Sequence, residues 1–407
     1  MKQKQVIVIG AGFGGVRAAL DLSKNPELSV TIIDQYPYHS VHGQLYEVAT
    51  SPTELTAMPE LKRSVELPLL QIFKNSPVKI VTAKVVDIKF ASKTVIVDKP
   101  YSYDYLVCAL GSQPNFFSIP GASEHAWHFS SGYDALKIRG EIESTIALAK
   151  NNLRKKDVQI VIAGGGVAGV EVAAELHGML NYLSWRENYP RHKIVTTLID
   201  RSEAMLSMFP KEVQEIAHQR LEELGVVLDT GVSIESISKH ELQTSDGVKE
   251  FDVLIWAAGV RANPLPTSES VSVKKGDRVE VDAQFKLVGQ PDVFVLGDQC
   301  ARAEDGGVNP LPGTASQAIR QAKYVATAIK ALAKNQQPPL FTCQSLPYII
   351  PLGPKWAIFY SKRKVVKGYL GYLIRQVVWF KYYISILGFT KGIHWLLRTS
   401  ELFKRND

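Results

Sequence analysis

The sequence predicts an α/β fold with two parallel-sheet domains of the same design and a helical segment at the C-terminal end. The first observation is a strand, Gly-rich turn and helix pattern that occurs twice, as VIVIGAGFGGVRAALDL (6–22) and IVIAGGGVAGVEVAAEL (160–176). The second is a later strand-and-turn pattern that also recurs, as YDYLVCALGSQPN (103–115) and FDVLIWAAGVRAN (251–263). Since both patterns recur in the same order and at nearly equal spacing, we infer two copies of one architecture. The third observation is a basic, aromatic tail.

Each Gly-rich turn fits the G-x-G-x-x-G fingerprint of a Rossmann-like dinucleotide-binding domain, because it follows a β-branched run and opens a helix. The first Gly permits the tight turn, the second lets the backbone approach the pyrophosphate, and the third lets helix and strand pack closely. The pyrophosphate rests on the helix N-terminus, whose free amides favour anions. The matching positions are Gly10, Gly12 and Gly15 in the first copy, and Gly164, Gly166 and Gly169 in the second.

An acidic residue ends the second strand of each copy. Asp34 closes SVTIID and Asp200 closes IVTTLID. A carboxylate at this position accepts hydrogen bonds from ribose hydroxyls and repels a 2′-phosphate. Asp200 therefore favours NADH over NADPH in the second copy, although Arg201 follows it directly and would offset part of this preference.

A further strand-and-turn segment, PDVFVLGDQCA (291–301), ends in Gly297–Asp298. It resembles the late strand-Gly-Asp motif of FAD-dependent two-domain oxidoreductases, whose Asp binds the ribityl and pyrophosphate region of the flavin. In those enzymes the first nucleotide fold binds FAD, and an inserted second fold binds NAD(P)H. The resemblance therefore implies an FAD-binding domain at 1–120 and 264–345, with an NAD(H)-binding domain at 121–263 between its two parts.

Composition excludes several other kinds of site. Hydrophobic residues make up 45% of the 407 residues and charged residues 21%, as is usual for a folded globular protein. Cys108, Cys300 and Cys343 lie far apart in sequence, so we expect no disulfide framework, no dithiol centre and no metal site. No run of about 18 uncharged apolar residues occurs, so we expect no membrane-spanning helix.

The basic charge of the chain is concentrated near its C-terminus, in the region that we delimit as residues 346–407. From Lys362 onward ten cations face two carboxylates, so this part carries +8 and the rest of the chain carries −1. The stretch from Tyr369 to Leu387 is apolar nearly all round and is broken only by Arg375 and Lys381.

The last part of the tail is amphipathic at helical spacing. Aromatic rings suit the lipid headgroup zone, and each cation adds roughly 1 kcal/mol of attraction to anionic lipid. This favours attachment to a membrane surface, while the alternative is packing on the enzyme itself or a homodimer interface. We expect no nucleic-acid partner. The polar face holds Lys391, His394, Arg398, Glu401 and Arg405, and the apolar face holds Ile393, Leu396, Leu397 and Phe403.

Over nearly its whole length the chain resembles the type II NADH dehydrogenases, within the FAD-dependent pyridine nucleotide-disulfide oxidoreductase superfamily. The segment most specific to this family is YHSVHGQLYEVATSP (38–52). The resemblance also rests on LIWAAGVRANPL (254–265) and on the basic, aromatic tail. The resemblance implies a flavoenzyme that transfers a hydride from NADH to FAD and then two electrons to a quinone, without proton pumping. It also implies a peripheral protein at the cytoplasmic face of the cell membrane.

The resemblance assigns residues to the FAD site. Asp34 and Gln35 would hold the adenosine end, and the backbone of Val85 would meet the adenine. Asp298 would hold the ribityl side. Ala315 and Ser316, which open a helix, would offer amides to the flavin's pyrimidine edge, where a helix N-terminus stabilises negative charge. The remaining FAD positions are Phe13, Gly14, Ala109 and Gly111, and Gly259 is the NAD counterpart of Gly111.

Glu171 is the candidate catalytic residue. It lies two residues after Gly169, and the family places a Glu here near the nicotinamide and the flavin. It would position the nicotinamide or assist proton movement as the flavin cycles. The alternative is an ordinary acidic residue near a helix N-terminus, which the helix dipole favours.

One departure from the family lies on the quinone side of the flavin. The family carries a Gln at the positions occupied here by Ser316 and Arg320, and Gln317 and Gln321 each stand one place further along. A shift of one residue rotates a side chain by about 100° around a helix. We assign Arg320 and Gln317 to the quinone side. Arg320 would hydrogen-bond a quinone carbonyl, stabilise the reduced anion, or face a surface carboxylate.

Three other functions stay open at this point. A sulfide:quinone oxidoreductase would need reactive Cys residues near the flavin, and only Cys300 lies beside the Gly-Asp motif. A ferredoxin reductase would not need the apolar tail. A non-catalytic, redox-sensing protein that binds FAD and NADH is the third alternative.

Overall fold

The computed structural model describes residues 3–51, 58–151, 156–303, 310–343, 346–362 and 364–403. Within them lie the helices α1 (Phe13–Leu22), α2 (Leu45–Thr50), α3 (Met58–Val65), α4 (Leu69–Ile72), α5 (Ala122–His125), α6 (Gly132–Asn151), α7 (Val167–Glu187), α8 (Lys211–Glu223), α9 (Ala315–Ala333), α10 (Tyr369–Leu387) and α11 (Phe389–Phe403).

The strands, in chain order, are β1 (Lys4–Ile9), β2 (Leu28–Asp34), β3 (Tyr38–Ser40), β4 (Glu66–Pro68), β5 (Lys79–Thr82), β6 (Asp87–Lys89), β7 (Thr94–Ile96), β8 (Pro100–Ser102), β9 (Tyr105–Cys108), β10 (Ser112–Pro114), β11 (Trp127–His128), β12 (Val158–Ala163), β13 (Ile194–Asp200), β14 (Val226–Thr230), β15 (Ile234–Ile237), β16 (Glu241–Thr244), β17 (Gly247–Glu250), β18 (Val253–Trp256), β19 (Val260–Ala262), β20 (Val273–Lys274), β21 (Arg278–Val279), β22 (Val293–Val295), β23 (Tyr348–Pro351), β24 (Ala357–Ser361) and β25 (Lys364–Val366).

The chain forms two compact units. Unit 1 comprises residues 1–41, 66–113 and 260–346, and unit 2 comprises 42–65, 114–259 and 347–407.

Unit 1 is built on a parallel five-stranded sheet in the order β22-β9-β1-β2-β5. The central strand β1 is apolar and buried from Val6 to Ile9, as expected for a parallel strand covered on both faces. Helix α1 crosses from β1 to β2 and packs against α9. The edge strand β22 comes from the late part of the chain, immediately before Gly297–Asp298, so the late motif lies in the same sheet as the first Gly-rich turn.

Unit 2 contains a second parallel five-stranded sheet, in the order β11-β18-β12-β13-β14. Its inner strands repeat the arrangement of unit 1, with β12 and β13 in the places of β1 and β2. Helix α7 follows β12 in the same way that α1 follows β1. The predicted α/β fold with two Rossmann-like parallel sheets is confirmed.

Two long segments group differently from the domain boundaries set out above, as do the short stretches 114–120 and 260–263. Residues 42–65 join unit 2 because α2 packs on α6 and α7, and α3 packs on α6 and α11. Residues 347–407 also join unit 2, since β24 packs against α8 and α10. The boundaries of the two nucleotide-binding domains as functional units stay a prediction.

The tail forms two helices, α10 and α11. The face of α10 that carries Gly371, Arg375 and Tyr383 is buried. Gly392 of α11 meets α10 so closely that an added Cβ would lie 2.8 Å from the backbone of Ile384. Among the residues described, no helix is long and apolar enough to cross a membrane.

The buried positions of α11 differ from the predicted apolar face. Gly392 and Thr399 are buried, whereas Leu397 is 64% exposed. The close crossing with α10 explains the burial of Gly392, because it requires a small residue at the contact. Arg363, Lys404 and Arg405 lie outside the described residues, as does the side chain of Phe403.

Candidate functional site

The first Gly-rich turn requires glycine at its outer positions. Gly10 has a φ of +96°, and a Cβ added there would lie 2.3 Å from the Ala109 carbonyl oxygen. A Cβ at Gly15 would lie 1.8 Å from the Gly10 oxygen. Gly12 is different, because a Cβ there would meet nothing within 4 Å. The space over Gly12 and the free amides at the start of α1 are what a pyrophosphate needs.

The second Gly-rich turn has the same construction. Gly164 has a φ of +112°, and its added Cβ would lie 2.4 Å from Ala258. A Cβ at Gly169 would lie 1.8 Å from the Gly164 oxygen, the distance found at Gly15. Gly166 again has nothing within 4 Å. Both turns therefore fit a dinucleotide by the same criterion, which is an open middle position between two closely packed glycines.

The two predicted acidic residues brace their turns in the same way. The Ala11 amide donates to Asp34 over 2.6 Å, and the Gly165 amide donates to Asp200 over 2.6 Å. Each carboxylate also accepts a second backbone amide, from Tyr36 and Ser202 respectively, over 2.8 and 2.7 Å. The carboxylate is thereby fixed beside the open glycine, where a ribose would lie.

The FAD-side motifs converge at one edge of the sheet in unit 1. Asp298 accepts a 2.6 Å hydrogen bond from the Ser112 hydroxyl, next to Gly111. The side chain of Gln299 accepts the Leu110 amide over 2.8 Å. These contacts place the late motif directly beside Ala109 and Gly111. Gln35 is exposed immediately after β2, and Val85 is buried in the chain that leaves β5.

The start of α9 shows how the departures from the family are accommodated. Thr314 caps the helix by accepting the Gln317 amide over 3.2 Å, which leaves Ala315 and Ser316 in the first turn. Gln317 is buried. Arg320 donates to the Thr342 carbonyl over 2.9 Å, and its guanidinium lies 5.3 Å from the Phe341 ring centre. Arg320 thus holds the segment that follows α9.

Two residues that contact the first Gly-rich turn or the late Gly-Asp motif were not predicted. The His39 ring nitrogen Nδ1 lies 2.8 Å from the Ala11 carbonyl, and the ring packs edge-on against Phe13 at 5.0 Å. The Gln321 side chain accepts the Gly297 amide over 2.7 Å. His39 lies in the segment 38–52 that carries the family resemblance, and this was the available signal. Gln321 gave no signal, because its partner is distant in sequence.

In unit 2, the contact of Phe117 with Gly259 was not predicted either. Phe117 adopts a φ of +51°, and its ring would contact a Cβ added at Gly259 at 2.9 Å. The Arg201 guanidinium lies 5.9 Å from the centre of the same ring. Phe117 therefore connects Gly259 with the residue that follows Asp200. A left-handed φ at a bulky residue is a mark of local strain, which concentrates at ligand sites.

Glu171 is half-buried and interacts electrostatically with a buried charge cluster in unit 2. Arg375 of α10 forms a hydrogen-bonded ion pair with Glu47 of α2 and donates to the Tyr46 hydroxyl over 2.8 Å. Burial is the main cause that raises the pKa of Glu171 to about 8; Arg375 opposes this shift, and Glu47 and Glu175 add to it. At neutral pH the Glu171 carboxyl is therefore largely protonated and suited to proton transfer.

The segment that carries Glu47 is held from two sides. The Tyr383 hydroxyl of α10 donates to the Gln44 side chain, and Arg139 of α6 donates to the Ser51 carbonyl at the end of α2. Arg139 is fully buried and also pairs with Glu143 over 2.8 Å. The positions of Glu47 and Arg375 are therefore fixed by both the helical core and the tail.

Cys108, Cys300 and Cys343 are buried, and none of them forms a disulfide within the described part of the chain. Burial raises the pKa of Cys108 far above its usual value and raises the pKa of Cys300 to about 12. Cys343 donates to the Ala303 carbonyl over 2.9 Å. A thiol is a weak nucleophile, so these residues do not form a reactive cysteine set.

Similar solved structures share this architecture. NDH2 from Plasmodium falciparum, solved in complex with NADH, has a TM-score of 0.85 at 17% identity over 99% of both chains. The sulfide:quinone oxidoreductase of Aquifex aeolicus has a TM-score of 0.77 at 18% identity, over 99% of this chain and 96% of that one. At these identities the likeness bears on the fold alone.

Curated relatives match over most of the chain. A type II NADH:quinone oxidoreductase of Staphylococcus haemolyticus is 29% identical over 82% of this chain and 84% of its own length. One from Staphylococcus aureus is 27% identical over 92% of this chain and 94% of its own. Residues 4–322 match the pyridine nucleotide-disulphide oxidoreductase family, and the chain belongs to that family.

Proposed function

We propose that this protein is an NADH:quinone oxidoreductase that binds FAD in unit 1 and NADH in unit 2. The observation that carries the proposal is the duplicated site, in which Asp34 and Asp200 brace two Gly-rich turns with equal geometry. When bound, the two cofactors supply the redox chemistry, a hydride passing from NADH to the flavin and two electrons then passing to a quinone. The Staphylococcus relatives, which carry the name of this activity, support the assignment.

The protein's own task is to bind, to align and to manage protons. Asp34 and Asp200 would orient the ribose of each nucleotide, and the amides of α1 and α7 would hold the pyrophosphates. Asp298, fixed by Ser112, would orient the ribityl chain. Asp200 favours NADH, because it would lie beside a 2′-phosphate and repel it.

Glu171 would hold a proton close to the redox centre. Reduction of a quinone consumes two protons, and a carboxyl whose pKa is about 8 can release and recover one near neutral pH. Its place on α7, two residues beyond Gly169, supports this role.

The acceptor side rests on α9. Ser316 is exposed in the first turn, Gln317 is buried, and Arg320 is engaged with Thr342 and Phe341. We assign the quinone to this side of the flavin, with Gln317 and Arg320 shaping its edge. Because Arg320 already holds a backbone carbonyl, it would act mainly by fixing the segment after α9.

The deciding experiment is anaerobic. Addition of NADH to the FAD-loaded protein should bleach the flavin rapidly, NADPH should do so much more slowly, and a short-chain ubiquinone or menaquinone should restore the colour. Failure of every quinone to reoxidise the flavin would exclude the proposed function. Bleaching by sulfide in place of NADH would instead indicate a sulfide oxidoreductase, which the buried thiols disfavour.

We further propose that the tail attaches the enzyme to the cytoplasmic face of the cell membrane. The exposed face of α10 carries an apolar stripe, formed by Leu370, Leu373, Val377 and Val378, which are 41–64% exposed. Phe389 of α11 is 67% exposed. An uninterrupted apolar stripe on a basic helix is typical of binding at a lipid interface or to a second copy of the chain.

Vesicle flotation separates these two uses of the stripe. The wild-type protein should float with anionic vesicles, and Leu373→Asp with Val377→Asp should leave it in the soluble fraction. Lys74→Asp, in unit 1, serves as a charge control. If the double variant loses only a dimer in sedimentation and still floats, the stripe is a homodimer interface.

A further inference from the structure

In both nucleotide turns the carbonyl of the residue before the open glycine accepts a hydrogen bond, but the two donors differ in kind. In unit 2 the Leu206 backbone amide donates to the Gly165 carbonyl over 2.7 Å. In unit 1 the corresponding carbonyl, that of Ala11, lies 2.8 Å from the Nδ1 atom of His39. A carbonyl oxygen only accepts hydrogen bonds, so Nδ1 carries a proton and His39 is the donor. A side chain in unit 1 therefore takes the place of a backbone amide in unit 2.

This hydrogen bond fixes the direction of the amide next to it. The peptide between Ala11 and Gly12 is trans, and in a planar trans peptide the C=O and N–H bonds point in opposite directions. Since the Ala11 carbonyl points at His39, the Gly12 amide points away from it. Gly12 stands at the N-cap of α1, and a Cβ added there would meet nothing within 4 Å. His39 therefore orients an amide at the helix end that would receive the pyrophosphate.

The two turns reach the same geometry with these different donors. Ala11 is also held through its amide, which donates to Asp34 over 2.6 Å. The backbone angles that result at Gly12 are a φ of −72° and a ψ of −171°. At Gly166 in unit 2 they are −74° and −174°. Because two unrelated donors produce one conformation, we infer that the conformation of the turn is what each donor serves.

His39 is itself held firmly. It is fully buried, and it lies in β3 opposite Leu67 of β4. Its ring packs edge-on against Phe13, the first residue of α1, with the ring centres 5.0 Å apart. The imidazole therefore contacts the turn and the start of the helix at the same time, and its donor atom has a defined position.

We propose that His39 is a positioning residue for the pyrophosphate of FAD. It acts through the Ala11 peptide, which it turns so that the Gly12 amide can donate to a phosphate oxygen when FAD is bound. The inference rests on the proposed function, which places FAD in unit 1. The competing role is purely structural, in which the ring fills space beside Phe13 and the hydrogen bond has no effect on the cofactor.

His39→Asn and His39→Leu form a matched pair that separates the two roles. Asn and Leu have nearly the same size and shape, and both remove the rest of the imidazole ring. Only Asn carries an N–H on the atom after Cγ, where Nδ1 stands in His. The difference between the two variants therefore isolates the donor. If thermal unfolding shows that His39→Leu is not folded, His39→Met replaces it, because a flexible Met fills the space without supplying a donor.

The first measurement is the release of FAD from the loaded, full-length enzyme, read as flavin absorbance in the filtrate after dilution. His39→Leu should release FAD about tenfold faster than wild type, as expected when a hydrogen bond to a charged group is weakened. His39→Asn should stay within about threefold of wild type. The affinity for NAD+, which leaves the flavin oxidised, should be the same in all three proteins, because the turn of unit 2 uses the Leu206 amide.

The second measurement is phosphorus NMR of the bound FAD, which a purely structural role would not alter. The pyrophosphate resonances should shift in His39→Leu and return towards their wild-type positions in His39→Asn. Equal FAD release from the two variants, or unchanged resonances in His39→Leu, would overturn the positioning role. A wild-type protein that binds no FAD would overturn both this inference and the proposed function. One that retains FAD but is reoxidised by no quinone would overturn the proposed function alone.

Discussion

Arg375 of α10 donates a hydrogen bond to the carboxylate of Glu47 on α2, across 328 residues of sequence. Both side chains are buried, and Arg375 also reaches the hydroxyl of Tyr46. The C-terminal helix is therefore part of the interior of unit 2 through its charged residue. A tail that serves only as an anchor would not need this contact.

Replacing Arg375 by Met should destabilise unit 2 by about 3–5 kcal/mol, because it leaves the Glu47 charge buried without its partner. Urea unfolding followed by circular dichroism measures the loss. The double variant Arg375→Met with Glu47→Met should recover much of it, since both buried charges are then removed. Lys381→Met, on the exposed side of the same helix, should have little effect. A double variant no more stable than Arg375→Met alone would show that the ion pair is not the source of the loss.

Glu171 should make the protein less stable as the pH rises. Its pKa is raised from 4.5 to about 8 in the folded protein, mainly by burial. The folded state therefore binds the proton more tightly than the unfolded state does. Glu171 makes its full contribution to the free energy of unfolding below pH 4.5, and this contribution is lost as the pH rises through 8. Thermal unfolding of wild type and Glu171→Gln across this range measures it.

As the pH rises, the melting temperature of the wild-type protein should fall relative to that of Glu171→Gln, because the Gln side chain does not ionise. Glu215→Gln, which replaces an exposed carboxylate, should parallel wild type throughout. A constant difference between wild type and Glu171→Gln would mean that the Glu171 pKa is close to its usual value.

The nucleotide turns could be predicted from sequence because every part of them is local. Gly10, Gly12 and Gly15 lie between a strand and a helix, and Asp34 ends the next strand. The same pattern recurs at Gly164, which supports the prediction. Turn geometry and strand ends depend on neighbouring residues, so their signal survives in a single sequence.

The charge cluster could not be predicted in the same way. In the sequence Arg375 interrupts an apolar tail and gives no sign of a partner, whereas the structure buries it against Glu47. The partners of Arg320 were also unforeseen, because a guanidinium that holds a backbone carbonyl leaves no pattern in the sequence. Such contacts depend on tertiary packing, which spacing along one segment does not encode.

Gly12→Ala and Gly15→Ala should separate ligand contact from folding. A Cβ at position 12 meets nothing within 4 Å, so the apoprotein should unfold at its usual temperature, but FAD retention should fall because the added methyl occupies the pyrophosphate's place. A Cβ at position 15 lies 1.8 Å from the Gly10 oxygen, so this variant should lose stability before any cofactor is added. Thermal unfolding of both apoproteins and flavin absorbance after gel filtration measure the two effects. Normal FAD retention in Gly12→Ala would show that the open position is not a cofactor contact.

Asp200→Asn and Asp34→Asn form a matched pair that tests which site holds which nucleotide. Each change keeps the size of the side chain and removes the charge that accepts two backbone amides beside the turn. Asp200→Asn should weaken NADH binding by about tenfold and narrow the preference over NADPH, because the repulsion of a 2′-phosphate is gone. Its FAD content should stay normal. Asp34→Asn should lower the FAD content and leave the nicotinamide preference of the remaining loaded enzyme unchanged. For each variant, flavin absorbance measures the FAD content, and fluorescence titration with NADH and NADPH measures the affinity for each nicotinamide. Loss of FAD from Asp200→Asn with normal FAD in Asp34→Asn would reverse the assignment of the two units.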